Sequence, residues 1–148
     1  MLRWRVPLVL TRAGSLLLAR ADGVLEIADL AVLTDAIDER VARQQPFLVV
    51  GDALAVQGVS AAARRFVGEH RSAKLRAASH LDLGLVLALR SPIVRGALTA
   101  ISWLGGSFAN LRTVETRGEL APLARQMHRD KNVALASSDE AALDAFFR

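Results

Sequence analysis

The side chains able to do chemistry in this 148-residue chain are few and scattered. There is no cysteine, which excludes disulfides, thiolate metal sites and thiol nucleophiles. The three histidines, His70, His80 and His128, lack the paired spacing of a metal-binding helix such as HExxH, so no metal centre is expected. A nucleophilic serine on a strand-to-helix elbow needs GxSxG. The nearest stretch, Gly58-Val59-Ser60-Ala61-Ala62, lacks the second glycine. Neither GxGxxG nor a P-loop is present. Gly105-Gly106-Ser107 follows an apolar helical segment instead of opening one, so it reads as a helix stop and not a phosphate cradle. No catalytic residue and no cofactor is assigned, and the expectation is a protein that is not an enzyme.

Three groups of residues remain. Ser60 precedes a helical pattern; its hydroxyl can cap that helix, and a phosphate added there would meet free N–H groups and the positive end of the dipole. Arg64, Arg65, Arg71, Lys74 and Arg76 form the densest basic run, opposed only by Glu69. They could hold an anion, or simply be a solvated helix end. Trp103, Phe108, Phe146 and Phe147 are the large apolar side chains least clearly owed to a core, and Trp is favoured at interfaces.

The elements that must carry these groups follow from periodicity. Val6–Thr11 and Leu16–Ala21 are apolar and β-prone, separated by the turn Ala13-Gly14-Ser15, with a second turn signal at Ala21-Asp22-Gly23. Asp29 is a candidate cap for a helix with Leu30, Leu33, Ile37 and Val41 on one face. Phe47–Val50 reads as a strand covered on both faces, and residues 51–59 as the loop after it. A helix then follows Ser60, with Ala61, Ala62, Phe66 and Val67 on one face, ending at Gly68 and the polar stretch beyond it. Leu83–Leu89 is a strand. Ser91-Pro92 starts a helix that buries Val94, Ala97, Leu98, Ile101 and Leu104. Leu111–Glu115 is the last strand. Thr116 and Glu119 have capping-box spacing, although Pro122 favours a helix beginning nearer Leu120; Ser137 and Glu140 repeat the spacing before a short terminal helix. Strands alternating with helices predict an α/β domain with one mixed, mainly parallel sheet of about five strands and about four helices. Residues 1–127 would form it, and 128–148 would add a polar linker (His128–Asn132) and a short helix.

Hydrophobic residues make up 52% of the chain, enough for a core, and only 5% are aromatic, with no Tyr. Base stacking by a nucleic-acid binder generally needs more, so nucleic acid is not the expected partner. The net charge of +4 comes almost wholly from Arg, Lys74 and Lys131 being the two lysines. The apolar run Val6–Leu10 is too short for a signal peptide, and the stretch Leu81–Leu104 is broken by Arg90, Pro92 and Arg95, so a chain without a membrane span, in the cytoplasm, is expected. The opening strands could pair with a second copy across an edge, giving a homodimer.

The stretches PFLVVGDALAVQGVSAAARRF and SPIVRGALTAISWLGGSFANLRTVETRGELAPLARQ resemble the STAS family of bacterial anti-sigma-factor-antagonist-like regulatory domains, with their SEC14-like relatives. The resemblance runs from about Val6 to Met127. It implies a stand-alone, non-catalytic domain that docks a protein partner (a kinase, sigma-factor regulator or sensor). Docking would use the loop after the central strand, with Asp52, Gln57, Gly58, Val59 and Ser60, and the helix that follows. Family members carry an Asp-Ser-Ser-Gly-like motif there, in which one Ser is phosphorylated. Here the matching stretch is Gln57-Gly58-Val59-Ser60, and Ser60 is the hydroxyl left to act as phosphosite. The alternative is a small-ligand domain for a nucleotide or a lipid, which would need an apolar pocket with a few convergent polar groups.

Overall fold

Gly14 reverses the chain after one short strand. Its φ of +57° suits the first central position of a two-residue hairpin, and β1 (Leu8–Ala13) pairs antiparallel with β2 (Leu16–Leu25), Ala13 opposite Leu16. The computed structural model describes residues 6–103 and 110–148. The turn expected at Ala21-Asp22-Gly23 is instead an irregularity inside one long strand, with register shifts against β3 on either side of Asp22-Gly23. Both backbone edges are occupied there: Asp22 N–H donates to the Pro7 carbonyl at 2.8 Å, and Asp22 and Gly23 lie opposite Ala55 and Val56. Ladder hydrogen bonds override the local turn preference of Asp-Gly.

Helix α1 (Ile27–Ala42) begins three positions earlier than expected. Glu26 is its N-cap, and Asp29 is the third helical residue, accepting from the Glu26 N–H at 2.8 Å in a capping box. The central strand β3 spans Phe47–Val59, so the expected loop at 51–59 is strand. Its sequence has little β period; it is extended because β2 runs alongside as far as Leu25, paired with Val59. Helix α2 (Ala61–His70) continues past Gly68 into a π-helical turn, Arg71–Leu75. Its buried residues are Ala63, Gly68 and His70, whereas Ala61 and Ala62 are exposed and Phe66 is half-buried, a correction to the expected face. Strand β4 (Asp82–Ala88), helix α3 (Pro92–Trp103) and strand β5 (Leu111–Val114) follow as anticipated. Leu104, the Gly105-Gly106 stop, Ser107 and Phe108 lie outside the described residues.

Thr116 and Glu119 do form a capping box around a 3-10 turn, Arg117–Glu119, and α4 starts at Leu120 and runs to Asp130, with Pro122 inside its first turn where no hydrogen bond is lost. The Thr116 hydroxyl and N–H both donate to Glu119, holding its carboxyl below the ordinary range. His128–Asn132 is therefore largely the end of α4 instead of a linker. Helix α5 (Ser137–Phe146) is capped by Ala136, without a side-chain cap, so the expected Ser137–Glu140 box does not form.

The sheet order is β1-β2-β3-β4-β5, parallel except for β1. Helices α1, α2 and α3 cover one face and α4 and α5 the other, making a three-layer α/β sandwich with five helices among the described residues. Alternation along the strands builds both cores. Leu16, Leu18, Leu48, Val50 and Val86 face α4 and α5, where Leu120, Ala124 and Leu143 meet them. Leu17, Phe47 and Val49 face α1, where Ala36 and Ile37 meet them.

Candidate functional site

Beyond Asp52, the β4 side of β3 is unpaired, since the β3–β4 register ends at Asp52 opposite Ala88. β2 and β3 continue as a two-stranded ribbon to Leu25 and Val59, past the end of β4. This ribbon carries Gln57, exposed, with Gly58, Val59 and Ser60. A Cβ built on Gly58 would meet nothing within 4 Å. Ser60 N–H donates to the Leu25 carbonyl at 3.0 Å, and the Ser60 hydroxyl accepts from Ala63 N–H at 3.1 Å, capping α2. Loss of such a cap costs about 1 kcal/mol. Beside the ribbon, Val24 and Ile27 are 52% and 41% exposed, large apolar side chains left in water.

Asp52 is not on that surface. It is 3% exposed and faces the α4–α5 side, where it accepts from Arg117 Nε at 2.7 Å and from Leu54 N–H at 3.1 Å. It is committed within the chain, tying the 3-10 turn to the sheet.

The basic run does not converge. Arg64 donates to the Val59 carbonyl at 3.1 Å, Arg65 and Arg76 are exposed, and Lys74 pairs with Asp38 at 3.4 Å. Arg71 turns inward and meets Asp82 at 3.4 Å, both side chains 14% exposed; burial pulls its guanidinium below the ordinary value, against the pull of Asp82. His70, buried, bonds to Asp38 at 2.7 Å. Among the described residues, no group of His, Asp and Glu could hold a metal ion.

Sequence reasoning missed a cavity of about 150 Å³ between the sheet and α1–α3. Its floor is Ala19, Ala21, Gly51 and Ala53 on β2 and β3, with Ala19 and Gly51 directly paired. Leu33 and Ile37 of α1, Val67 of α2, and Leu98 and Ile101 of α3 form its roof. The helices are held off by large residues at the two ends, Phe47 at one and Leu25, Val56 and Val59 at the other, so four small side chains in the middle leave a gap. His70, Arg71 and Asp82 line the Phe47 end. The signal was in the sequence, as small residues where β2 and β3 would otherwise carry Leu or Val, but it becomes legible only once the two strands are in register.

A second missed pair is Ser15 and His128. His128, 1% exposed, lies 2.7 Å from the Ser15 hydroxyl through Nε2 and 3.1 Å from the Ala124 carbonyl through Nδ1. The carbonyl can only accept, so Nδ1 carries the proton and Nε2 accepts from the serine. The pair resembles the start of a hydrolytic dyad, but neither residue lines the cavity beneath α1–α3, and the bond pins α4 to the β1–β2 hairpin. Trp103 is 83% exposed, whereas Phe147 is buried in the α4–α5 core and Phe146 half-buried against it.

No family model matches the sequence, and no curated protein matches it. Among solved structures, an uncharacterised protein of the DUF3478 family with a SpoIIAA-like fold, from Shewanella loihica PV-4, aligns over 78% of this chain and 90% of its own, with a TM-score of 0.50 and 13% identity. An anti-sigma factor antagonist from Mycobacterium paratuberculosis aligns over 84% of this chain and 99% of its own, with a TM-score of 0.50 and 16% identity. No described helix is long and apolar enough to cross a membrane. Five strands in sequential order, one antiparallel at the edge, with three helices on one face and two on the other, make this chain a domain of the STAS-like, SpoIIAA-like fold.

Proposed function

We propose that the chain is a non-catalytic regulatory domain of the bacterial cytoplasm that docks a protein partner at the projecting end of the β2–β3 ribbon and the start of α2. The observation that carries this reading is the exposed Val24 and Ile27 beside Gln57, Gly58 and Ser60, at the carboxyl end of the parallel strands. In open α/β sheets this end is where ligands and partners are met. The likeness of fold to an anti-sigma factor antagonist supports the same class of partner: a kinase, a sigma-factor regulator or a sensor. Ser60 is the proposed site of phosphorylation. Its hydroxyl sits at the N-terminus of a ten-residue helix, where a phosphate is electrostatically favoured and would add charge to the docking surface. Asp52 is no longer among the proposed contacts, because it is buried against Arg117.

The test is capture of partners from the native lysate on tagged protein, nuclease-treated and at moderate salt. Wild-type protein should retain a regulatory protein that the Gly58→Asp variant loses, with the circular dichroism and melting temperature of the variant unchanged, because the added side chain enters open space. Retention of the same protein by Gly58→Asp, or capture of none by wild type, would overturn the reading. For Ser60, treatment with the captured kinase should label wild type and not Ser60→Ala.

A further inference from the structure

We propose that the cavity between the sheet and α1–α3 is a binding site for a single alkyl or acyl chain, with its polar end at the Arg71–Asp82 pair. Size is the first argument. The space beneath α1–α3 holds about 150 Å³, lined along β3 by side chains from Phe47 to Val59. A dry apolar cavity of this volume is known to take up benzene, so at least about six carbons fit.

Chemistry is the second argument. The middle of the cavity offers a ligand only hydrocarbon, from Ala19, Ala53, Leu33, Ile37, Leu98 and Ile101. Water would find few partners there, and an alkyl chain leaving water gains roughly 0.8 kcal/mol per methylene. Polar side chains gather at the Phe47 end, where Arg71 supplies donors and Asp82 an acceptor within 3.4 Å of each other. A hydroxyl or carboxylate headgroup matches that pair, and both side chains keep a 14% exposure through which a head placed there meets solvent. Economy of packing is the third. Leucine at position 21 or 53 would fill the gap, yet the floor carries four consecutive small positions, alternate residues of two paired strands.

The probes are 1-octanol and octanoate, titrated into the full chain and followed by methyl NMR. Saturable shifts of the Ile37, Ile101 and Leu98 methyls with both probes are expected. Ala53→Leu should weaken both by about tenfold or more, a change of one decade in Kd, while raising the melting temperature of the ligand-free protein. Should Ala53→Leu not fold, Ala21→Leu serves in its place. Absence of methyl shifts with either probe in folded wild type overturns the proposal. So does binding that the filling substitution leaves untouched, which would mark a surface site on the basic residues. The source of the chain is then separated with phosphatidylcholine vesicles. Shifts that match those of octanol, and that Ala53→Leu abolishes, identify a membrane lipid; shifts with free octanoate alone identify a soluble acid. None of these readouts involves the docking surface, so this proposal and the docking reading fail independently.

Discussion

His128 shows how a single side chain couples this fold to pH. Burial is the main influence, and it pushes the imidazole below its ordinary value, with the Ala124 carbonyl and nearby Asp139 acting in the opposite direction. The neutral form is the one that donates through Nδ1 and accepts through Nε2. An unfolded chain titrates this histidine near the ordinary value of about 6.5, and the folded chain at lower pH, so in between the unfolded state binds more protons. Stability contributed by neutral His128 is therefore complete above about pH 6.5 and is lost as pH falls through the folded value. Urea melts between pH 5 and 8 should show this loss in wild type and a flatter profile in His128→Gln. Ser60 and Gly58 belong to the same scale. Their roles, a helix cap at Ser60 and a small residue with open space beside its Cα at Gly58, are properties of one position each, and the type of residue is readable directly. Asp52 is the counter-example: a carboxylate in a stretch read as loop turned out to be buried, because its partner Arg117 is 65 residues away.

Among the elements, the link between the 3-10 turn and the sheet is where one contact holds two pieces together. Arg117 is partly exposed while Asp52 is not, so removing the arginine leaves a buried carboxylate with Leu54 N–H as its remaining donor among the described bonds. Arg117→Ala should destabilise by about 1–3 kcal/mol, the cost of stranding a buried polar group. The pair Arg117→Ala with Asp52→Asn should lose less than the sum of the two singles in chemical denaturation. Helix existence was legible at this scale: Ser91-Pro92, Thr116 with Glu119, and Ser60 each announce a helix by local chemistry. Strand length was not. β3 and β2 both extend because each supplies the other's hydrogen bonds, and that mutual support has no local signature in residues 51–59 or at Asp22-Gly23. The capping box expected at Ser137 failed for a related reason, since its spacing is a weak, purely local cue.

At the scale of the molecule, α5 closes the second face of the sheet. Leu143 is fully buried beside Leu16 and Leu18, Arg20 donates to the Phe146 carbonyl at 2.7 Å, and the Arg20 guanidinium lies 5.3 Å from the Phe146 ring centroid. The last helix is thus fastened to the first hairpin, and a local break there should be felt globally. Leu143→Ala should cost about 2–5 kcal/mol, as a leucine deleted from a packed core does. Its thermal unfolding should remain a single transition. A separate early transition would mean that α5 melts on its own.

The sequence by itself determined the class of fold, the order of its elements, the caps at Ser60 and Ser91, the Thr116–Glu119 box and the absence of cysteine chemistry. These depend on residue type and short spacing, which a linear text preserves. The tertiary structure alone decided what lies opposite what. It extended two strands through stretches with turn and loop signals, buried Asp52 and His128, and dispersed a basic run that looks continuous in the sequence. It also aligned four small residues of β2 and β3 beneath three helices. A cavity is a property of side chains that are missing from a shared space, and that space exists only after strands distant in sequence have been brought into register.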